Sequence, residues 1–389
     1  MEPKENGRLR ILLNGLAARG GGVQTYLINL LRFLPEETPA DIFVLAPDSL
    51  PLPTDRENIR RVPVDWPVEN PVVRAVWEKI YLPKLLRQIR ADVLFCPGGI
   101  IGASLPPGCK SVAMFRNMLP FDPVRRAYPL GYMRTRHWIL EKLLLKSMRR
   151  ADLVIFISEF ARNLVEDRTS RNLKNVVVIP HGINPAFRNG EAKSSYQPEW
   201  LLPGGYLLYV STVDFYKSQV EVVQAYALLK QRRRTREKLI LVGPEAPDYA
   251  RKVRREIHRL GLDEDVVMTG KIPYEHMPAL YHHALVNIFA SQCENCPNIL
   301  LEALAAGRPV LASNRPPMPE FAGDAAVYFD PTLPVELAEK LTWLLGDPGR
   351  MRELSAKARE RSFRYDWPRT AATTWKLIEE IAKDGIRQP

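Results

Sequence analysis

Short apolar runs alternate with longer amphipathic stretches along the whole chain. In the first half, the runs that predict strands are "LRILLNG", "DIFVLAP", "ADVLFCPG", "SVAMFRN", "ADLVIFIS" and "NVVVIPHG". A second series comprises "YLLYVST", "KLILVG", "VVMTGKI", "LVNIFAS", "PVLAS" and "AAVYFD", and "WPRTAATTWKLIEEIAK" predicts a closing helix. Strands that alternate with helices are typical of parallel sheets covered on both faces. Residues 184–205, between the two series, have a linker's composition, so the pattern predicts two doubly wound α/β domains.

Composition and charge narrow the class of protein. The length of 389 residues fits two domains, and a hydrophobic fraction of 46% is ordinary for a globular protein. The net charge of +11, from 55 Lys and Arg against 44 Asp and Glu, favours a nucleic acid, an acidic membrane surface or a phosphorylated substrate as partner. Aromatic residues do not interleave regularly with the scattered basic groups, so we do not expect nucleic-acid binding. The start has no apolar signal region and no apolar run is long enough to span a bilayer, which predicts a cytoplasmic protein.

Four cysteines in a chain of this length do not form a disulfide framework. Cys293 and Cys296 form a C-x-x-C pair at a predicted strand-to-helix junction, where a thioredoxin-like redox pair would lie. A zinc site would also need Cys96 and Cys109 to converge from distant segments. A glutamate inside the pair opposes thiolate formation, so we expect buried, unreactive thiols.

Two glutamates interrupt the apolar stretch "SQCENCPNILLEALAAGRPVLAS" (residues 291–313). A helix is predicted to begin near Pro297 and to end at Gly307, which places Glu294 in the preceding loop and Glu302 within the helix. In parallel sheets, the loop after a strand and the helix N-terminus that follows it form the ligand crevice. The free N–H groups near the helix start suit a phosphate, and carboxylates accept hydrogen bonds from sugar hydroxyls. Alternatively, Glu294 caps the helix and Glu302 faces solvent.

A glycine triplet, Gly20, Gly21 and Gly22, follows the first predicted strand. Glycine lets the backbone approach a ligand closely, so Gly21 and Gly22 are candidate donor-binding residues. A turn without a ligand is the alternative.

Nearly the whole chain resembles the glycosyltransferases of family 4 (glycosyl transferases group 1), which have the two-domain GT-B fold. The resemblance is most specific at "ENCPNILLEALAAGRPVLAS", and it extends to "YVSTVDFYKSQVEVVQAY", "VIPHGINPAF" and "GKIPYEHMPALYHHALVNIF". It implies an acceptor-side Rossmann-like domain over residues 1–187 and a nucleotide-sugar-binding domain over residues 188–369, which face a central cleft. A C-terminal helix over residues 370–389 would cross back to the first domain.

The resemblance also implies an activity, namely transfer of a hexose from a nucleoside-diphosphate sugar, with retention of configuration and with no metal ion or other cofactor. Glu294 would meet the hydroxyls of the donor sugar, Glu302 would bind the ribose, and Lys217 would neutralise charge on the leaving diphosphate. An exposed surface lysine is the alternative for Lys217. The remaining donor contacts would come from the backbone N–H groups of Asn298, Ile299 and Leu300, and from Lys271 and Ile272 beside the base.

Two positions depart from the family pattern. Thr212 stands in the phosphate loop where an arginine is common, so Lys217 would carry more of the charge. Arg116 and Asn117 stand where a histidine and an aspartate are common. Arginine stays protonated and cannot act as a general base, but it could bind a phosphate or a carboxylate while Asn117 orients an acceptor hydroxyl. A leaving phosphate that itself takes the acceptor proton needs no protein base.

The stretch over residues 132–156 bears on the acceptor, because it combines an apolar face with many basic residues. It is either a helix packed on the first sheet or a helix whose basic face also contacts anionic lipid headgroups. The second interpretation places a lipid-linked acceptor at an inner membrane surface and fits the assembly of cell-surface polysaccharide, whereas a soluble glycan acceptor fits the motifs equally well. A UDP- or GDP-sugar is the expected donor. The alternatives are a sugar-nucleotide epimerase of the same layout and a non-catalytic nucleotide-sugar binding protein.

Overall fold

The computed structural model describes residues 8–18, 21–53, 56–128, 131–170, 172–189, 198, 205–233 and 235–383. The strands are β1 (Leu9–Asn14), β2 (Ala40–Leu45), β3 (Ile59–Arg61), β4 (Val93–Cys96), β5 (Lys110–Phe115), β6 (Leu153–Phe156), β7 (Val176–Val178), β8 (Tyr206–Val210), β9 (Lys238–Val242), β10 (Val266–Gly270), β11 (Val286–Phe289), β12 (Val310–Ser313) and β13 (Val327–Phe329).

The helices of the described residues, in chain order, are α1 (Gly21–Arg32), α2 (Pro71–Ile80), α3 (Leu82–Gln88), α4 (Tyr132–Arg150), α5 (Glu159–Arg168), α6 (Ala186–Asn189), α7 (Gln219–Arg232), α8 (Pro247–Arg259), α9 (Met277–His283), α10 (Asn298–Ala305), α11 (Met318–Ala322), α12 (Pro334–Leu345), α13 (Pro348–Ser362) and α14 (Trp367–Ala382). Short 3₁₀ helices cover Pro123–Ala127, Phe215–Lys217, Tyr274–His276 and Gly323–Ala325. None of these helices is long and apolar enough to cross a membrane.

The chain divides into two compact units, one formed by residues 1–182 with 367–389 and the other by residues 183–366. The second unit begins at Ile183, whose backbone forms a parallel bridge with Asp366. The sequence pattern places the corresponding divisions after residues 187 and 369. Of the predicted linker, the short helix α6 belongs to the second unit, and most residues from 190 to 204 lie outside the described part of the chain.

The first unit is built on a parallel sheet with the strand order β3-β2-β1-β4-β5-β6-β7. Its inner strands β1, β4, β5 and β6 are mainly apolar and buried because helices cover the sheet, as the continuous apolar runs predict. The strand β3 is absent from the predicted series because it is a three-residue edge strand, "IRR", with two charged side chains. The closing helix α14 packs on α1 within this unit, where Trp375 Nε1 donates to the carbonyl of Leu30 at 3.0 Å.

The second unit contains a parallel sheet with the order β10-β9-β8-β11-β12-β13. All six strands coincide with predicted ones, and their side chains form one continuous apolar core with α7, α10 and α12. In both sheets the order reverses at one point, between β1 and β4 in the first and between β8 and β11 in the second. Ligands of open parallel sheets bind outside the carboxyl ends of the strands at such a reversal.

Candidate functional site

Two loops meet at the reversal point of the second sheet, and each carries a predicted site residue. The loop after β8 leads into the 3₁₀ helix that contains Lys217, and the loop after β11 contains Glu294. The Lys217 ammonium forms an ion pair with Glu294 Oε1. The Lys217 side chain is only 9% exposed and that of Glu294 17%, so the pair lies in a recess of the unit. Lys217 is therefore not the exposed surface lysine of the alternative interpretation.

Local contacts fix the backbone around Lys217. The Asp214 carboxylate caps the 3₁₀ helix by accepting from the N–H of Phe215 at 2.7 Å, and the Tyr209 hydroxyl donates to the Lys217 carbonyl at 2.6 Å. The ammonium also lies 4.8 Å from the centroid of the Tyr216 ring, a cation–π contact. A buried ammonium needs such partners because burial without them is costly.

Gln292 joins the lysine loop to the glutamate loop. Its N–H donates to the Tyr216 carbonyl at 2.8 Å, and its Nε2 donates to Ser218 Oγ at 2.8 Å. The two loops are thus held together by one side chain and one backbone bond in addition to the ion pair. Gln292 is not among the residues predicted from the sequence, and its position two residues before Glu294 is the signal that could have identified it.

Glu302 lies one turn into α10 and is bound by two tyrosines. The Tyr274 hydroxyl donates to Glu302 Oε1 at 2.9 Å, and the Tyr281 hydroxyl donates to Oε2 at 3.4 Å. Burial raises the pKa of Glu302 to about 7, although both hydrogen bonds favour the carboxylate and lower it. Glu302 is half-buried and both of its carboxylate oxygens accept a hydrogen bond, so it does not have the fully exposed position of the alternative interpretation. The seven-residue spacing of the tyrosines, which places them on one side of the segment that leads into α9, is the sequence signal for this contact.

The other donor-binding candidates of this unit differ in whether their side chains or only their backbone groups are accessible to a ligand. The N–H of Asn298 donates to the Cys296 carbonyl at 3.0 Å, while Ile299 and Leu300 start α10 with side chains packed on the core. Only their backbone groups are therefore suited to a ligand. Thr212 and Lys271 are exposed, whereas the Ile272 side chain is a core residue at 7% exposure. Gly307 has φ of +63° and ends the helix as predicted.

The first unit contains the remaining candidates. Arg116 follows β5 and places its guanidinium carbon 5.0 Å from the centroid of the Tyr26 ring, while Asn117 beside it is exposed. The Tyr26 ring also contacts His181 at 5.5 Å and Trp367 at 6.0 Å, and its hydroxyl lies 3.5 Å from Thr374 Oγ1. The helix α14 thus supports the aromatic ring on which Arg116 lies. Arg116 is among the residues predicted from the sequence, whereas Tyr26 is not.

Gly21 and Gly22 open α1, the helix that carries Tyr26. Gly21 has φ of +62°, a conformation that side-chain-bearing residues rarely adopt, so the turn into the helix requires glycine. Gly20 lies outside the described residues.

The cysteines and acidic groups form no alternative centre in the described part of the chain. No disulfide joins Cys96, Cys109, Cys293 and Cys296, and burial raises the pKa of Cys109 to about 12. Among the described residues, no group of three or more His, Cys, Asp or Glu side chains could hold a metal ion.

Comparison with known proteins identifies the class. The fold is similar to that of sucrose-phosphate synthase from Thermosynechococcus elongatus, with a TM-score of 0.77 and 17% sequence identity over 97% of this chain and all of that one. That level of identity supports the fold alone. The two parallel sheets in two units, together with this match, define the two-domain GT-B class.

Two family models cover most of the chain. The model for glycosyltransferase family 4 matches residues 20–187, and the model for glycosyl transferases group 1 matches residues 197–361. The chain belongs to this glycosyltransferase family, which confirms the resemblance predicted from the sequence.

Two Escherichia coli proteins illustrate its relatives. The chain is 25% identical to the serotype-specific mannosyltransferase WbdA over 267 residues, which is 67% of this chain and 32% of WbdA. It is 27% identical to O-antigen chain mannosyltransferase B over 252 residues, 61% of this chain and 64% of that protein. The matched region thus spans about a third of the one relative and less than two thirds of the other.

Proposed function

We propose that the protein is a retaining glycosyltransferase that moves a hexose from a nucleoside-diphosphate sugar to a hydroxyl acceptor without a metal ion. The observation that carries this proposal is the recessed Lys217–Glu294 pair at the reversal point of the second sheet. A fixed cation placed there can stabilise the charge that builds on a departing diphosphate, and a carboxylate can accept from sugar hydroxyls.

The contacts within the second unit support a role for each of its site residues. Lys217 has three N–H donors, so it can keep Glu294 and still donate to a phosphate oxygen. Each Glu302 oxygen already accepts one tyrosine hydroxyl and has a second lone pair for a ribose hydroxyl. The backbone N–H groups of Ile299 and Leu300, in the first turn of α10, would donate to a phosphate in this proposal.

The transfer step needs no base from the protein. The bond between the anomeric carbon and the leaving phosphate oxygen breaks, and the acceptor oxygen bonds to the same face of that carbon. The acceptor proton passes to the leaving phosphate oxygen. Lys217 stabilises the negative charge of that diphosphate, and Arg116, which is always protonated, would bind an anionic group of donor or acceptor.

The names of the relatives suggest the sugar. Both Escherichia coli proteins are mannosyltransferases, and one is named for the O-antigen chain. We therefore propose GDP-mannose as the first donor to test, UDP-glucose as the second, and a glycan acceptor in cell-surface polysaccharide assembly. Peripheral contact with an anionic membrane through α4 is part of this proposal, because α4 contains six Lys and Arg residues and a single acidic residue, Glu141.

The test is a transfer assay on the full chain with each nucleotide sugar and a panel of alkyl glycosides as acceptors. We expect acceptor-dependent release of the nucleoside diphosphate that persists in excess EDTA, and a product with the anomeric configuration of the donor in its NMR spectrum. Lys217→Met should lower turnover about 10²–10³-fold, by analogy with other electrostatic stabilisers. Lys252→Met, which removes an exposed lysine from α8 of the same unit, is the matched control. Formation of an altered sugar nucleotide without any acceptor would instead show an epimerase.

A further inference from the structure

A cavity of about 480 Å³ lies within the first unit, and neither Arg116 nor Gly21 lines it. The helices α2 and α4 form its walls, and Asn14 and Cys96, at the ends of β1 and β4, are at its base. These two strands flank the reversal point of the first sheet, the position where parallel sheets bind ligands. The volume falls within the range of about 300–1,000 Å³ that is typical of small-molecule sites.

The walls of the cavity are mainly apolar and open to solvent. On α4 the lining residues Thr135, Ile139 and Leu143 recur every four positions, so they form one face of the helix. Ile139 is 45% exposed, Leu143 41%, and Val72 on the facing helix α2 is 71% exposed. Apolar side chains gathered around an open cavity are typical of a binding surface.

The acidic side chain of the cavity lies deeper than the two basic ones. Glu78 is only 8% exposed and accepts from Asn14 Nδ2 at 2.9 Å, while Arg136 is exposed and Arg74 is half-buried. An anionic group would be repelled from the inner end by Glu78 and attracted to the outer end by the arginines. Burial raises the pKa of Glu78, whereas the hydrogen bond from Asn14 and the charge of Arg74 lower it and so favour the carboxylate.

We propose that this cavity binds the apolar chain of an acceptor lipid, with the phosphate of that lipid held at the outer end by Arg136 and Arg74. The apolar walls match a hydrocarbon chain, and the order of charges, negative inside and positive outside, sets the direction in which the chain enters. Two aromatic side chains of α4 are also exposed, Trp138 to 57% and Tyr132 to 77%. Exposed Trp and Tyr are typical of a protein surface that contacts a lipid–water interface.

The assignment rests on the proposed function, because it names the acceptor class of that transfer. It can be tested without any transfer, since binding of a chain does not need the donor. Linear alkyl phosphates of increasing length are suitable probes below their micellar concentrations, with calorimetry or the fluorescence of Trp138 as the readout. We expect affinity to rise about fourfold for each added methylene until the cavity is filled. Equal affinity for butyl and decyl phosphate would overturn the proposal.

Two variants test the walls and the outer end separately. Ala75→Trp introduces a large ring from α2 into the cavity and should weaken decyl phosphate binding at least tenfold. Val76→Trp, one residue further on the same helix and outside the cavity lining, is the control that should bind normally. Arg136→Gln should weaken decyl phosphate more than a decyl glucoside, whereas the exposed Arg87→Gln on α3 should leave both unchanged. Wild-type binding by Ala75→Trp would refute the site.

A final comparison separates the failure of this inference from that of the proposed function. In Ala75→Trp, binding of the nucleotide sugar and transfer to a short-chain alkyl glycoside should equal the wild type, while KM for a long-chain phosphate-linked acceptor rises at least tenfold. If the variant instead loses binding to phosphatidylglycerol vesicles and keeps its KM for that acceptor, the cavity is a membrane anchor and the acceptor assignment is wrong. Loss of transfer to every acceptor in the wild type would contradict the proposed function and leave the chain-binding result intact.

Discussion

The Tyr274 hydroxyl donates to Glu302 Oε1 at 2.9 Å, and this bond stabilises the charged form of a carboxyl group whose pKa burial raises to about 7. Because Tyr274 precedes α9 while Glu302 lies on α10, the contact links two segments around the predicted nucleotide site. Glu302 is thus a residue whose charge changes near neutral pH, and the tyrosine helps to set where that change occurs.

A pH dependence of donor binding follows from this contact. The ionised carboxylate is the better acceptor for ribose hydroxyls, so donor affinity should fall as the pH is lowered through about 7. Tyr274→Phe removes a hydrogen bond that favours the carboxylate, so the pKa of Glu302 rises and the midpoint should move to higher pH by about one unit. Calorimetric titration of the nucleotide sugar between pH 5.5 and 8.5 measures this shift. Tyr328→Phe, whose hydroxyl binds the Gly323 carbonyl elsewhere in the same unit, should keep the wild-type midpoint.

The two glutamates should differ in kinetic effect because they occupy different places around the donor. Glu302→Gln is expected to weaken donor binding by about 1.5–3 kcal/mol, the value of a hydrogen bond to a charged group. Glu294→Gln should lower turnover more than affinity, because Glu294 lies beside Lys217 near the predicted reacting sugar. Separate determination of the donor dissociation constant and of kcat distinguishes these effects. Two variants with full activity and affinity would refute both assignments.

A backbone contact beneath the phosphate loop gives a prediction about stability. Gly243 has φ of +146°, and a Cβ atom there would lie 2.1 Å from the Ser211 carbonyl oxygen. Gly243→Ala should therefore destabilise the protein by about 1–3 kcal/mol and displace the loop that contains Thr212. Gly261→Ala is the control, because φ is also positive there, at +66°, but no atom lies within 4 Å of the added Cβ. If the two variants unfold at the same temperature, the close approach to Ser211 has no cost.

Most of the fold could be predicted from the sequence because the strands of a covered parallel sheet are continuous apolar runs. The edge strand β3 could not, since two of its three residues are Arg60 and Arg61, which remove the apolar signal. Local pattern also predicted that Glu294 precedes a helix and that Gly307 ends it. Such features depend on neighbours in the chain.

The partners of the site residues could not be predicted in the same way. Tyr26 supports Arg116 although 90 positions separate them, and Lys217 pairs with Glu294 across 77 positions. These contacts depend on which strands are adjacent in the sheet, and apolar runs do not specify strand order. The raised pKa of Glu302 likewise depends on burial by α9 and α10 together, which no single segment encodes.

Association with anionic membranes is a separate prediction of the basic surface of α4. Its acidic residue, Glu141, is already paired with Arg125 and Arg168, so the remaining charge is positive. The protein should sediment with phosphatidylglycerol vesicles at low salt and dissociate as salt rises, because exposed charges are screened. Reversal of the exposed Lys142 and Lys146 to Glu should abolish sedimentation. A control variant with Lys252 and Arg255 of α8 changed to Glu has the same net charge as the α4 variant, and its sedimentation should change little. Equal sedimentation with anionic and neutral vesicles at low salt would contradict the prediction.

Arg116 offers a test of chemistry that departs from the common family pattern. Its guanidinium lies over the Tyr26 ring, which contacts Trp367 of α14, so the cation has a fixed place after β5. If Arg116 binds a phosphate or carboxylate through two parallel N–H groups, lysine cannot reproduce the contact because it lacks the planar fork. We therefore expect Arg116→Ala and Arg116→Lys both to impair transfer, with lysine the milder loss.

The supporting ring makes the Arg116 experiment more specific. Tyr26→Phe keeps the ring beneath the guanidinium and should retain transfer, whereas Tyr26→Leu removes the cation–π contact, worth about 0.5–2 kcal/mol, and should reproduce part of the Arg116→Lys defect. Because arginine does not titrate in the accessible range, the pH profile of kcat should have the same shape in Arg116→Lys as in the wild type. Transfer rates for all four variants at limiting acceptor, with unfolding temperatures as a check on folding, measure these effects. Wild-type turnover in Arg116→Ala would show that the residue only packs against Tyr26, and the catalytic groups of the first unit would then have to be sought at Asn117 or in the loop around Gly21 and Gly22.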